Sequence, residues 1–259
     1  MAASTTQYPS VPIACSELRC IRSSIVGQDY QVKIRLPEKY ATTTDFYPVL
    51  YLLDGDHAFA MATDIVQYLI YDEYIPDMII ASPAYGVKRD PLYGGTNMRM
   101  RDFLPFPLLP PSRYADMPAH ADQYLQFFER ELIPFVEAEY RVARDNRTIW
   151  GYSAGAFFAL YALFQTPGLF QKYIVVDGFD ERYWGMEREF AAHHADLPAR
   201  LFMSEGPGEN EPPLATLRDR LAGRNYPSLR FEYTLLNDIG HFAVPAEGLT
   251  KGLVSVFRK

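Results

Sequence analysis

Thr148-Ile149-Trp150-Gly151-Tyr152-Ser153-Ala154-Gly155-Ala156-Phe157-Phe158-Ala159-Leu160 reads as a short strand, a serine between glycines, and the start of an apolar helix. The pattern is G-x-S-x-G, with a strand before it and a helix after it, the context in which the serine sits on a nucleophile elbow. In that turn the backbone leaves no room for Cβ atoms at Gly151 or Gly155, and the serine Oγ is pushed clear of the sheet. The first N–H groups of the helix face the place where negative charge develops during attack on a carbonyl. The plainer reading of the same residues is an ordinary tight turn.

The flanking sequence alternates strand and helix. Tyr47-Pro48-Val49-Leu50-Tyr51-Leu52-Leu53 is a continuous apolar run stopped by Asp54-Gly55-Asp56, and Asp77–Ala81 is another, ended by Ser82-Pro83. Both have the pattern of strands buried on both faces. Further strands are expected at Tyr173–Val176, Leu201–Met203 and Leu229–Leu236. Helices are expected at Ala60–Tyr71 and Ala154–Gln165, with a last one from about Ala246. The stripe Leu125, Phe128, Leu132, Phe135 and Val136 predicts a helix over Ala121–Tyr140, which Pro134 should kink or split. Ile21–Leu36 alternates around Val26-Gly27-Gln28-Asp29 and predicts an antiparallel hairpin. The expected fold is α/β, a mostly parallel central sheet with an N-terminal antiparallel hairpin and helices on both faces.

Residues 1–20 read as a lead-in and 21–259 as one domain, with no repeat or linker. Residues 84–119 carry six prolines and little periodicity, an excursion expected to border a site. The chain has 259 residues, enough to bury a large core without a disulfide or metal staple. Its net charge of −7 argues against nucleic acid or an anionic membrane as partner. No apolar run reaches 18 residues, the length a membrane span needs. The N-terminus lacks the basic and apolar regions of a signal peptide, so a cytoplasmic location is expected. Cys15 and Cys20 are then expected to be free thiols, although a small loop between them is open to bridging. No metal-ligand spacing and no G-x-G-x-x-G appear, so neither metal nor cofactor is expected.

A serine nucleophile needs a base. Of His57, His120, His193, His194 and His241, only His241 lies late in the chain, between the last strand and the last helix. The others are assigned to a loop bordering the site (His57), a helix start (His120) and a charged helix (His193, His194). The acid is sought after the penultimate strand, in Met203-Ser204-Glu205-Gly206-Pro207-Gly208-Glu209. Glu209 is preferred because the glycine and two residues after the strand leave its carboxylate on the loop facing the histidine. Glu205 is its rival, with Asp238 and Asp177 as further candidates. One oxyanion donor should be the N–H of Ala154, and the other an N–H of Gly55, Asp56 or His57.

Several ordered motifs resemble the "putative esterase" family of α/β-hydrolases, which includes enterochelin and other siderophore esterases, carbohydrate-attached aryl esterases and mycolyltransferases. They are Gln28-Asp29-Tyr30, Leu36-Pro37, Tyr47–Gly55, Arg99-Met100-Arg101-Asp102-Phe103-Leu104-Pro105, Glu131-Leu132-Ile133-Pro134, Tyr140-Arg141-Val142, the elbow and His241. The resemblance implies an α/β-hydrolase fold, Ser153 as nucleophile, His241 as base, and oxyanion donors from Ala154 and Asp56. It implies a small-molecule ester substrate of aryl, lactone or siderophore type, cleaved through an acyl-enzyme. Arg99 and Arg101 are candidate contacts for an anionic substrate, with Tyr152 and Trp184 near the site; a surface salt bridge is the alternative for the arginines. An acyltransferase or a thioesterase would use the same groups, and a non-catalytic binding module is the reading from outside enzymology. The chain departs from the family at Gly155-Ala156 and at Asp177-Gly178-Phe179-Asp180, where many members have Gly-Gly and Ser-Pro-Ser.

Overall fold

The computed structural model describes residues 10–86, 96–110, 112, 114–208 and 213–258. Eight strands form one sheet: β1 (Ser16–Arg22), β2 (Asp29–Arg35), β3 (Tyr47–Leu52), β4 (Ile79–Ala84), β5 (Val142–Tyr152), β6 (Lys172–Val176), β7 (Arg200–Glu205) and β8 (Arg230–Leu235). Their order across the sheet is β1-β2-β4-β3-β5-β6-β7-β8. β1 and β2 make the expected antiparallel hairpin, paired from Ser16↔Arg35 to Arg22↔Asp29. β2 also meets β4 antiparallel, and every pair from β4 to β8 is parallel.

Several elements differ from the sequence reading, among them α7 over Ala215–Arg224, which it did not expect, and three differ for a local reason. β1 starts at Ser16, inside the stretch read as a lead-in, because an edge strand with both faces half exposed carries no apolar run to announce it. β4 runs on through Pro83, which faces Val32 of β2 after the pairing with β3 has stopped at Ala81. A proline is tolerated there because its missing N–H leaves no bond unmade on that side. Inside the proline-rich stretch, Thr96–Phe103 forms helix α2, a polar segment of which Phe103 is the large apolar residue buried in the core. Residues 87–95, 111 and 113 of that stretch lie outside the described residues.

The remaining helices are α1 (Gly55–Tyr71), α3 (Ala121–Phe127), α4 (Ile133–Glu139), α5 (Ala154–Gln165), α6 (Tyr183–His193), α7 (Ala215–Arg224) and α8 (Val244–Phe257). As Pro134 foretells, the long amphipathic segment is split: a π turn over Phe128–Leu132 separates α3 from α4, and Pro134 falls in the first turn of α4. α1 and α8 cover one face of the sheet over Leu50, Leu52, Ile80, Trp150, Ile174 and Phe202. The other helices cover the opposite face over Val49, Tyr51, Ile79, Ile149, Tyr173 and Val175. Burial on both faces is why the central strands read as unbroken apolar runs. Among the described residues no helix is long and apolar enough to cross a membrane. Cys15 and Cys20 are both exposed and free.

Because β3, β5, β6 and β7 run parallel, their carboxyl ends share one edge of the sheet, where ligands bind in open α/β folds. Asp54, Ser153, Asp177 and Glu205 therefore all arrive at that edge. The opposite edge is cationic: Lys172, Arg200 and Arg230 are register partners on three adjacent strands. Burial, and then the neighbouring Arg200, push the Lys172 ammonium down to about 8. Between that value and the unfolded-chain value of about 10.4 the unfolded state binds more protons, so stability rises with pH across this window. Lys172→Met is expected to raise the melting temperature at pH 7 and to lose that advantage near pH 10.5. Calorimetry at both pH values checks this, and an unaltered melting temperature at pH 7 would refute it.

Candidate active site

Ser153 joins β5 directly to α5 with φ 55° and ψ −119°, a backbone conformation that L residues rarely adopt. It is held there from both sides. Its N–H donates to Val176 O of β6 at 2.9 Å, and its own carbonyl accepts from Ala156 N at 2.9 Å. A Cβ on Gly151 would lie 2.0 Å from Gly155 O, and one on Gly178 would lie 2.2 Å from Ser153 O. Glycine is required at both positions by close approach, and the serine side chain is left partly exposed. Ala154 is the first residue of α5, so its N–H lies ahead of the intrahelical ladder.

His241 lies in the loop between β8 and α8, with its side chain 29% exposed. Its Nδ1 is 2.7 Å from Asp177 Oδ2, a carboxylate fully removed from solvent. Asp177 follows β6 directly, and its second oxygen accepts from Gly206 N at 3.1 Å. A carboxylate on Nδ1 fixes the tautomer with the proton on that nitrogen, so that Nε2 carries the lone pair. Tyr152, next to Ser153, donates its hydroxyl to His241 O at 2.8 Å, and the two rings lie 4.9 Å apart. The histidine loop is thus tied to the residue preceding the serine, and the tyrosine expected near substrate has its hydroxyl committed to the backbone.

The carboxylate that meets the histidine differs from the one preferred on sequence. Glu209 lies outside the described residues. Glu205 is buried and accepts from Leu214 N at 2.9 Å, Ala215 N at 3.1 Å and Tyr233 Oη at 2.7 Å. It therefore serves the N-terminus of α7, where a negative charge is favourable. Burial and the adjacent Glu205 hold the Tyr233 phenol well above its usual range, keeping it a donor. The signal for Asp177 was present in the sequence as an Asp-Gly at the end of an apolar strand. The absence of a Cβ at Gly178 leaves room for that strand end against the elbow, where Ser153 N donates to Val176 O.

The two arginines are likewise engaged by the chain itself. Arg99 pairs with Asp54 through two bonds and also donates to Tyr152 O at 2.9 Å. Arg101 Nε lies 2.6 Å from Asp102 Oδ1, and Asp102 also accepts from Tyr30 Oη at 2.6 Å and Tyr85 Oη at 3.0 Å. Burial, and then Asp102, push the Tyr30 phenol up, so it remains a donor to that buried carboxylate. Trp184 lies half buried in a surface notch with Arg182 and Arg188, 6.3 Å from Phe179, with the Arg220 guanidinium 4.6 Å above its ring. Asp56 is the second residue of α1, and its carboxylate accepts from Tyr85 N at 2.8 Å. Its N–H also lies ahead of the helix ladder, since Asp54 O takes its bonds from His57 and Ala58. Among the described residues no group of three or more His, Cys, Asp or Glu is placed to hold a metal ion.

The arrangement is that of an α/β-hydrolase, and comparison with known proteins agrees. The family model described as "Putative esterase" matches residues 23–201, more than half of the chain, and the chain belongs to that family. It is 30% identical over 169 residues to the ferri-bacillibactin esterase BesA of Bacillus subtilis, covering 61% of this chain and 56% of that protein. It is 30% identical over 154 residues to a siderophore triacetylfusarinine C esterase of Aspergillus fumigatus, covering 57% of this chain and 50% of that protein. The matches thus span only about half the length of these relatives. A solved structure of the BES protein from Bacillus cereus superposes with a TM-score of 0.83 at 22% identity, over 98% of this chain and all of that one, showing the shared fold.

Tyr152→Phe is expected to cost about 1 kcal/mol, the worth of one hydrogen bond. It should also speed amide exchange across residues 236–243. Hydrogen exchange with mass spectrometry reads this, and unaltered protection of that loop would show that the tyrosine does not tether it.

Proposed function

We propose that the chain hydrolyses a carboxylic ester of a small molecule through an acyl-enzyme on Ser153. The observation that carries the reading is the 2.7 Å contact between His241 Nδ1 and the buried Asp177 carboxylate, in a loop tied to the residue before the serine. In this reading His241 Nε2 takes the proton as Ser153 Oγ attacks the carbonyl carbon. Asp177 holds the imidazole and stabilises its protonated form without itself taking the proton. The N–H groups of Ala154 and Asp56 receive the oxyanion, and loss of one such donor typically costs about 10²–10³ in rate. His241 then protonates the departing alkoxide, and a water activated by the same nitrogen releases the acid. The overall change is ester plus water to acid plus alcohol. The names of the two curated relatives favour a siderophore-type ester as substrate.

The test is burst kinetics on p-nitrophenyl acetate and butyrate, with fluorophosphonate labelling alongside. Ser153→Ala is expected to lose both burst and label. Asp177→Asn is expected to retain the label slowly while kcat falls by about 10³–10⁴, as when a triad acid is neutralised. Glu205→Gln should act on stability instead, with kcat per folded molecule close to wild type. Equal turnover by wild type and Ser153→Ala would sink the nucleophile assignment. An Asp177→Asn enzyme as fast as wild type would remove Asp177 from the triad and turn attention to Glu209.

A further inference from the structure

Asp54 caps the N-terminus of α1 by position but not by chemistry. An aspartate at that place ordinarily accepts from the N–H of the second or third helical residue, here Asp56 or His57. Asp54 makes no such bond and sits in the left-handed region at φ 60°, ψ 42°. Its carboxylate is turned to Arg99, with Nε to Oδ1 at 2.5 Å and Nη2 to Oδ2 at 3.0 Å. The same Nη2 donates to Tyr152 O at 2.9 Å. One guanidinium thus ties the loop before α1 to the strand end before α5. Those two segments supply both oxyanion donors of the proposed site.

The pair is sheltered, with the arginine side chain 15% and the aspartate 6% exposed. The carboxylate also lies close to the elbow, since a Cβ on Gly155 would come 3.4 Å from Asp54 Oδ2. A carboxylate so near the first turns of α1 and α5 has two positive helix ends to fall onto. Were it to do so, it would occupy the N–H groups an oxyanion needs and set a negative charge where another must develop. The Phe103 ring, 5.7 Å from the guanidinium, backs Arg99 from its own helix.

We propose that Arg99 is a positioning residue that keeps the Asp56 N–H open for the oxyanion by holding the Asp54 carboxylate off the N-terminus of α1. The inference rests on the acyl-enzyme reading of Ser153. It also reassigns Arg99, whose charge is consumed within the protein instead of being offered to an anionic substrate. Two segments distant in sequence are locked in one relative position by a single planar fork, which a lysine cannot reproduce.

The test is a double-mutant cycle with a structural readout. Arg99→Met keeps the length and apolar contact of the side chain. It is expected to lower kcat per folded molecule about 100-fold, the scale of a lost oxyanion donor, with KM changed less than about threefold. Adding Asp54→Gly removes the intruding carboxylate, and glycine is at ease at φ 60°. The double variant is expected to regain about tenfold in kcat over the single one. A merely structural role predicts the opposite, a second loss on top of the first. A crystal structure of Arg99→Met should show the Asp54 carboxylate bonded to Asp56 N. Wild-type kcat in Arg99→Met, no recovery in the double variant, or an Asp54 that stays in place would each overturn the proposal. Failure of the wild type to turn over esters or take the label would strike the acyl-enzyme reading instead, while the Arg99→Met structure would still decide where Asp54 goes.

Discussion

The bond from Ser153 N to Val176 O is the constraint from which the rest of the site follows. It pins the end of β5 against the end of β6 at a residue whose backbone is unfavourable in isolation. Such a conformation persists only where its surroundings leave no alternative. Here two glycines remove the obstacles: Gly151 lets the chain fold back onto the backbone of Gly155, and Gly178 lets β6 continue past the serine carbonyl. At Gly155, expected to have no room, a Cβ would meet nothing nearer than 3.4 Å. The apolar strands buried under helices on both faces hold the sheet edge rigid enough to keep the strain in place.

The sheet edge is crowded with carboxylates, and the structure gives each a different employment. Asp54 is held by Arg99, Asp56 by Tyr85 N, Asp102 by Arg101 and two tyrosines, Glu205 by the N-terminus of α7, and Asp177 meets His241. A buried carboxylate without partners is costly, so each must be satisfied by donors from the chain itself. That rule separates the acids at this edge. Glu205 accepts from two backbone N–H groups at the start of α7 and from a phenol, whereas Asp177 pairs with an imidazole in a loop that still reaches solvent.

Much of this was legible in the sequence, and the exceptions have physical causes. Periodicity found the hairpin, the buried strands and the helix at Ala154–Gln165, because burial on both faces or on one stripe writes itself into residue choice. It missed α2, which buries Phe103 in the core and otherwise stands on polar contacts and the Arg99 ion pair. His241 was singled out by its place between the last strand and the last helix, and the structure sets its Nδ1 against a buried carboxylate. The carboxylate that pairs with it was not, because Asp177, Glu205 and Glu209 all stand close after apolar runs read as strands and only spacing was available to rank them.

The sequence by itself determined that this is an α/β chain with a serine on a strand-to-helix turn and a histidine between the last strand and the last helix. Local rules suffice for that, since glycine spacing, strand hydrophobicity and helix starts are written within a few residues of one another. Only the tertiary structure decided which carboxylate meets His241 and that Arg99 is spent on Asp54. Both contacts join residues more than 40 positions apart, Asp177 after β6 with His241 after β8 and Asp54 after β3 with Arg99 on α2. Partner choice among like groups depends on distances of a few tenths of an ångström and on competing donors, and no one-dimensional spacing carries that information.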